Sequence, residues 1–231
     1  MIICCGSKKY ENINFDNLVD DFDTIVRHGF LIPNCGYGKR DSDLQVLNSH
    51  EITNYNRQLT TEQWINNYAE SYGINHDYMR QYVDYIYKKN INILHYPANN
   101  KQAVIEILIK NKIDHPYLGY NKFPKNGISH VAELVKNNIK PFLIGYSILD
   151  EDMANHVYNG KAKDFINGHH QDNLDCSLII SLHKNNLIDA SFCAIKDEQT
   201  ICFNNVIKPT EQALEILKKH FLIPFKEINN L

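Results

Sequence analysis

The first residues that could contact a ligand follow a short apolar run at the start of the chain. Ile2–Cys5 is typical of a buried strand, and Gly6 and Ser7 follow it directly. A glycine lets the backbone come close to a nucleotide, and a serine hydroxyl can hydrogen-bond it. The stretch has neither the GxGxxG fingerprint nor the GK[ST] of a P-loop, so a plain tight turn between strand and helix is an equal alternative.

A second candidate is Lys125-Asn126-Gly127, which leads into a helix predicted to begin at Ser129. The first N–H groups of a helix have no partner within the helix and attract anions. We expect an anion-binding corner at Gly127. A loop-to-helix cap without a ligand is the alternative.

Two adjacent histidines, His169 and His170, lie in a polar loop before an amphipathic helix predicted over 173–184. Histidine is the usual general base near neutral pH. Adjacent histidines chelate a metal poorly compared with histidines one helical turn apart, so a zinc site is not favoured. The pair is therefore a candidate for proton transfer, with ordinary surface histidines as the alternative.

Three acidic pairs could hold Mg²⁺ or Mn²⁺ against a nucleotide diphosphate, because hard cations prefer carboxylate oxygens. The pairs are Asp21/Asp23, Asp41/Asp43 and Asp150/Asp152. The first pair precedes a predicted strand instead of following one, and the others lie in polar loops where solvated acids are expected. We therefore predict no metal site.

The elements that must position these residues alternate between short apolar runs and helical patterns. This alternation predicts an α/β, Rossmann-like fold, with a mainly parallel sheet flanked by helices. The predicted strands are 2–5, 24–27, 44–47, 91–95, 141–145, 188–194 and 200–203, and the predicted helices are 60–72, 76–89, 101–112, 129–137, 173–184 and 211–220. Ligands of such sheets bind outside the carboxyl ends of the strands, where the candidate loops converge.

Length and composition exclude several classes of protein. The chain has 231 residues, 43% of them hydrophobic and 22% charged, with a net charge of -3, which excludes a disordered or coiled-coil protein. No block rich in Lys or Arg stands out, which argues against a dedicated nucleic-acid binder. No signal peptide or membrane span is expected, so we predict a cytoplasmic protein, at most peripheral on a membrane. The six scattered cysteines form no CxxC pair, and the four that lie in apolar runs are expected to be buried thiols, namely Cys4, Cys5, Cys193 and Cys202.

Taken in order, these motifs resemble the sialyltransferases of glycosyltransferase families 42 and 29. The N-terminal part of the resemblance lies in Cys5-Gly6-Ser7, Phe22-Asp23-Thr24-Ile25-Val26-Arg27-His28-Gly29 and Leu44-Gln45-Val46-Leu47-Asn48. The later part lies in Tyr117-Leu118-Gly119-Tyr120, Pro124-Lys125-Asn126-Gly127, Phe142-Leu143-Ile144-Gly145-Tyr146 and His170-Gln171-Asp172-Asn173-Leu174-Asp175. It is the order and spacing of several weak motifs that is similar to the family.

The resemblance implies a GT-A variant glycosyltransferase domain over 1–231, with a short lid at 150–168. It implies an inverting, metal-independent transfer of sialic acid or a related acidic sugar from a CMP-sugar donor to a hydroxyl of a glycan or glycolipid acceptor. No cofactor is implied. A donor with a single phosphate lets hydrogen bonds replace a metal in stabilising the leaving group.

The resemblance also implies the site residues. The general base would be His170, since its distance from Asp175 matches the family, whereas the Gly-His step would select His169. The donor would contact residues from five of the motifs and from the lid, namely Gly6, Ser7, Arg27, His28, Asn48, Lys125, Asn126, Gly127, Gly145, Tyr146 and Tyr158.

Two other functions stay open. A non-catalytic nucleotide-binding, glycan-binding or interaction module of the same fold is favoured by Lys125 and Asn126, which replace the family's Ser and Thr. It is also favoured by Tyr146 and Tyr158, which lie out of register with the family's phosphate-binding tyrosines. A metal-dependent nucleotide-diphosphosugar transferase would use one of the acidic pairs.

Overall fold

The computed structural model describes residues 1–7, 14–48, 61–96, 101–119, 121, 123–146, 172–190, 193–194 and 201–202. Within these ranges the chain forms a six-stranded parallel sheet and a separate two-stranded antiparallel pair. The predicted strand 200–203 is seen as the short second strand of that pair, and the predicted helix 211–220 lies outside the described residues.

The six strands of the main sheet are β1 (Ile2–Cys5), β2 (Thr24–His28), β3 (Leu44–Asn48), β4 (Ile93–Tyr96), β5 (Phe142–Ile144) and β6 (Asp189–Ala190). Their order in space is β4-β3-β2-β1-β5-β6, and every neighbouring pair is parallel. The expected Rossmann-like sheet is confirmed, and β1 lies in its interior as its apolar sequence predicts. The predicted strand 188–194 is divided, because Cys193–Ala194 (β7) pairs instead with Ile201–Cys202 (β8).

The described helices are α1 (Asp16–Asp20), α2 (Thr61–Tyr72), α3 (His76–Lys89), α4 (Gln102–Lys110), α5 (Asn126–Lys136) and α6 (Asp172–Lys184), with a 3₁₀ turn at Pro116–Leu118. The sequence analysis missed α1, since five residues are too few to show a helical period. It placed the start of α5 at Ser129, but the helix begins at Asn126, with Lys125 extended just before it.

Typical capping residues separate α2 from α3. Gly73 has a φ of +62°, the left-handed conformation that ends many helices. Asn75 then starts α3, and its side chain accepts hydrogen bonds from the N–H groups of Asp77 and Tyr78. These caps explain why this part of the chain matches its predicted bounds most closely.

Helices cover both faces of the sheet, and alternate strand residues point to each face. Cys4, Val26 and Leu143 belong to the cluster packed against α4, α5 and α6. On the other face, Ile3, Ile25 and Ile144 pack against α1 and the loop after β2. The α2–α3 hairpin covers Leu47 and Phe30 in a third cluster. No helix in the described ranges is long and apolar enough to cross a membrane.

The connections reverse direction between β1 and β5. From β1 the chain runs outward through β2 and β3 to β4, and it then returns to β5 on the other side of β1. The switch point of the sheet therefore lies at the carboxyl ends of β1 and β5, and this place is the candidate crevice. In sheets of this topology such a switch point is where a ligand binds.

Candidate active site

The floor of the crevice is built from two glycine backbones in contact. The Gly6 N–H donates to the Ile144 carbonyl at 2.8 Å. A Cβ added to Gly6 would overlap the Gly145 carbonyl and lie 3.0 Å from the Tyr146 nitrogen. Gly145 has a φ of +74°, and a Cβ there would overlap the Tyr37 ring. Only glycine fits at both positions, because the Gly145 backbone and the Tyr37 ring occupy the space that a side chain would need.

The amino end of α5 lies beside this floor. A Cβ on Gly127, the second residue of the helix, would come within 3.2 Å of the Tyr146 ring and 3.6 Å of the His28 ring. Lys125, extended just before the helix, supplies no side-chain cap. Within the described residues, the buried Asn126 Oδ1 and Ser129 Oγ atoms have no hydrogen-bond partner. Buried polar atoms are normally paired, so this end of the helix has unused hydrogen-bonding capacity.

Three buried side chains from three elements form one hydrogen-bonded chain at the crevice. The Tyr146 hydroxyl lies 2.9 Å from His28 Nδ1, and His28 Nε2 lies 3.1 Å from His130 Nδ1. Burial lowers the pKa of His130 to about 4, and burial and then the neighbouring His130 lower the pKa of His28 well below its usual value. Both imidazoles are therefore neutral at pH 7.

A buried carboxylate joins the start of α6 to the loop before α5. Asp175 is fully buried, and it accepts hydrogen bonds from the Tyr117 hydroxyl at 2.6 Å and from the Lys125 N–H at 3.2 Å. Asp175 stands in the first turn of α6. The bond to Lys125 therefore fixes the chain just after the predicted base relative to the candidate donor site.

Arg27 was predicted to contact the donor, but in the structure its side chain bonds to the loop after β2. Arg27 is fully buried, and its guanidinium donates to the carbonyls of Tyr37 and Arg40 and to the Ser42 hydroxyl. Planar guanidinium groups suit such multiple bonding. Arg27 thus shapes the loop after β2, and through Tyr37 it supports the backbone around Gly145.

A nearby serine–histidine contact has the wrong polarity for a nucleophile. His115 Nδ1 accepts from the Tyr117 N–H, so His115 Nε2 carries the proton and donates to Ser177 Oγ at 2.7 Å. The Ser177 hydroxyl itself donates to the Leu174 carbonyl at 3.0 Å. A general base would have to accept the serine proton, so this contact is structural.

The acidic pairs have structural partners where they are described. Asp23 forms an ion pair with the Met1 amino group, and that bond lowers its pKa. Asp41 pairs with Lys89 at 3.1 Å, and Asp43 Oδ2 accepts from the Ile25 N–H at 2.7 Å. The pair at 150–152 lies outside the described residues. In the described part of the chain, no three His, Cys, Asp or Glu side chains form a group that could hold a metal ion.

The two thiols at the end of β1 are not activated as nucleophiles. Cys4 and Cys5 are buried and free, as expected. Burial raises the pKa of both thiols, that of Cys5 to about 12. At neutral pH neither is a thiolate, so neither is a nucleophile.

The structure brings many of the predicted site residues to one edge of the sheet. Those with described surroundings at the crevice are Gly6, His28, Asn126, Gly127, Gly145 and Tyr146, with Lys125 one residue before α5. Ser7 follows Gly6, and Asn48 ends β3 at the same edge, opposite Tyr96 in the register. Arg27 faces the loop instead. His169, His170 and Tyr158 lie outside the described residues.

Sequence reasoning missed His130 and Tyr37, and it named Asp175 only as part of the last motif, without its bonds to Tyr117 and Lys125. For His130 a signal was present, because it follows Gly127 by three residues and so shares its side of the helix. For Tyr37 none was present, because its contact with Gly145 joins distant parts of the chain.

No protein-family model matches this chain, and no curated protein matches it. Solved structures do match its fold. One is the sialyltransferase CstII from Campylobacter jejuni in complex with a substrate analogue, cytidine-5'-monophosphate, which is 14% identical over 95% of this chain and 98% of that chain, with a TM-score of 0.44.

Two further matches are also sialyltransferases. A mammalian sialyltransferase in complex with Gal-beta-1-3GalNAc-ortho-nitrophenol is 12% identical over 82% of this chain and 68% of that chain, with a TM-score of 0.43. The alpha-2,3-sialyltransferase from Campylobacter jejuni in apo form is 13% identical over 94% of this chain and 92% of that chain, with a TM-score of 0.41. The expected resemblance is found again among solved structures. The resemblance is a distant one.

Proposed function

We propose that this protein is a sialyltransferase-type glycosyltransferase that transfers sialic acid, or a related acidic sugar, from a CMP-sugar donor to a hydroxyl of a glycan or glycolipid. The observation that carries the proposal is the crevice at the switch point, where the Gly6 and Gly145 backbones meet the amino end of α5. Such a crevice suits a nucleotide, and the resemblance of the ordered motifs to those of sialyltransferases supports a CMP-sugar as the donor.

The donor phosphate would lie between the Gly6 turn and the start of α5. Helix N–H groups and the helix dipole favour a negative charge at this end. The unpaired Asn126 Oδ1 supports a polar ligand nearby, since a ribose hydroxyl could donate to it. Gly127 has no Cβ, and the Tyr146 ring packs against it, so this ring would form the wall of the donor site at the first turn of the helix.

The leaving group would be CMP, whose single phosphate gains one negative charge as the bond to the sugar breaks. Preorganised hydrogen-bond donors can stabilise such a charge without a metal. We therefore propose a metal-independent reaction. EDTA should leave turnover unchanged, and loss of turnover that Mn²⁺ restores would favour the metal-dependent alternative.

The acceptor hydroxyl would lose its proton to His170 as it attacks the sugar from the face opposite CMP, which inverts the anomeric centre. His170 precedes α6 by two residues, so Asp175 in the first turn of that helix ties the segment after the base to the donor site. The positive end of the helix dipole disfavours an imidazolium there and keeps a base neutral. A general base of this kind contributes about 10²–10⁴-fold in rate.

The test begins with binding. Thermal unfolding is followed with CMP, CDP and UDP, each with and without EDTA, because a ligand of the folded state raises stability by RT ln(1 + [L]/Kd). We expect stabilisation by CMP without metal. Stabilisation by UDP with Mn²⁺ alone would favour the metal-dependent alternative, and no response to any nucleotide would leave an interaction module.

The second test is turnover of CMP-sialic acid, measured as donor hydrolysis and as transfer to a glycan. His170→Ala should lower transfer by about two to four decades while CMP still stabilises the protein. His169→Ala is the matched control and should cost much less. Small, equal effects of both substitutions would return the protein to the non-catalytic class.

A further inference from the structure

The side chains of His28, His130 and Tyr146 form a chain of hydrogen bonds beneath the candidate donor site. Each is buried, with 7%, 3% and 7% of its surface exposed, respectively. They come from the end of β2, from α5 and from the residue two after β5. The chain therefore ties together three of the elements that form the crevice.

The chain has a preferred direction of donation. Both imidazoles are neutral, so each has one N–H and one accepting nitrogen. A phenol hydroxyl is the more acidic donor, so the Tyr146 O–H donates to His28 Nδ1. His28 Nε2–H then donates to His130 Nδ1, which leaves the proton of His130 on Nε2.

The ring of Tyr146 is part of the wall that a donor would contact. Its Cε1 atom lies 3.2 Å from the position of a Cβ on Gly127, and its backbone nitrogen lies 3.0 Å from that of a Cβ on Gly6. The ring packs in the buried cluster against α4, α5 and α6, and its hydroxyl bond to His28 adds a directional restraint on the ring between the two glycines.

We propose that His130 and His28 are positioning residues, which hold the Tyr146 ring as a wall of the donor pocket through the hydrogen-bonded chain His130–His28–Tyr146. This inference rests on the proposed CMP-sugar donor, because it assigns the pocket between Gly6 and Gly127 to the CMP group. His28 was expected to touch the donor directly. The proposal gives it a supporting role beneath the ring instead.

The experiment measures the Kd of CMP by isothermal titration calorimetry for the wild-type protein and three variants. Tyr146→Phe removes the hydroxyl and keeps the ring, and we expect the Kd to rise about tenfold, the value of one hydrogen bond. His130→Leu removes the acceptor for His28 and should have a similar effect. His130→Asn restores an acceptor oxygen near the Nδ1 position, so its Kd should return to within about threefold of wild type.

A double variant separates positioning from a general loss of packing. In the Tyr146→Phe background the hydroxyl is absent, so His130→Leu should add little further loss of affinity. His183→Leu is the matched control, because His183 is a buried histidine in the last turn of α6. Its Kd for CMP should stay at the wild-type value, with folding checked by circular dichroism.

The results distinguish the two proposals. If the wild-type protein does not bind CMP, the proposed function fails. If the wild type binds CMP but Tyr146→Phe and His130→Leu leave the Kd unchanged, the positioning role is refuted and the function survives. Fully additive effects in the double variant, or no rescue by His130→Asn, would likewise overturn it. Should His130→Leu not fold, Tyr146→Phe and His130→Asn alone decide the question.

Discussion

Mild acid should destabilise this protein through its buried histidine pair. The pKa of His130 is about 4 in the folded state and about 6.5 in an unfolded chain. Between these values the unfolded chain binds more protons, so the free energy of unfolding is highest above pH ~6.5 and falls as the pH decreases towards ~4. Below the folded pKa this loss stops increasing.

The size of the effect follows from the difference in pKa. Each pKa unit corresponds to about 1.4 kcal/mol, so His130 alone removes about 2 kcal/mol between pH ~7 and pH ~5, and about 3 kcal/mol by pH ~4. His28, whose pKa is also lowered, increases the loss. A domain is stable by only about 5–15 kcal/mol, so this is a substantial fraction.

Urea unfolding at a series of pH values measures the effect. Trp64 is the single tryptophan and is buried in α2, so its fluorescence reports the transition. His130→Asn removes one titrating ring and relieves His28 of its neighbour, so the pH dependence of unfolding should become shallower by about one proton. His76→Asn replaces an exposed histidine and is the control. An unchanged slope in His130→Asn would refute the reasoning.

Three further predictions concern the framework of the site, and urea unfolding checks each. Gly6→Ala should lower the free energy of unfolding by about 1–3 kcal/mol, because the added Cβ overlaps the Gly145 carbonyl. Gly119→Ala is the control and should leave it nearly unchanged, because there is open space around Gly119. Arg27→Met should cost about 3–5 kcal/mol, because it leaves two carbonyls and a hydroxyl of the buried loop without their donor, and a loss under ~1 kcal/mol would contradict that role. Asp175→Asn should cost about 1–3 kcal/mol, because its amide N–H₂ must face one of the two donors, and a variant as stable as the wild type would contradict this role.

Local patterns in the sequence determined most of the elements. The predicted helix over 76–89 matches α3, because Asn75 caps its start and an apolar stripe follows. The all-apolar run Ile2–Cys5 predicted an interior strand, which β1 is. The bounds were least accurate where a tertiary contact overrides local preference. Gly127 lies inside α5 although glycine disfavours helices, because Tyr146 and His28 occupy the space that a side chain would need.

The sequence analysis named Gly6 and Gly127 from their places after a strand and at a helix start, and the family resemblance added Gly145 and Tyr146 to the same site. A parallel sheet brings the carboxyl ends of its strands to one edge whatever the rest of the chain does, so this grouping can be inferred without a structure. The chemical types of the predicted residues, and the order of the motifs, are likewise properties of the sequence alone.

Only the tertiary structure decided what each side chain faces. Arg27 and His28 are neighbours in β2, yet consecutive strand residues point to opposite faces of the sheet. Arg27 therefore meets the loop carbonyls, and His28 meets Tyr146 and His130. The partners of these two residues lie 10 to 118 positions away in the chain. Contacts over such separations depend on how strands and helices pack, and no local pattern of residues encodes them.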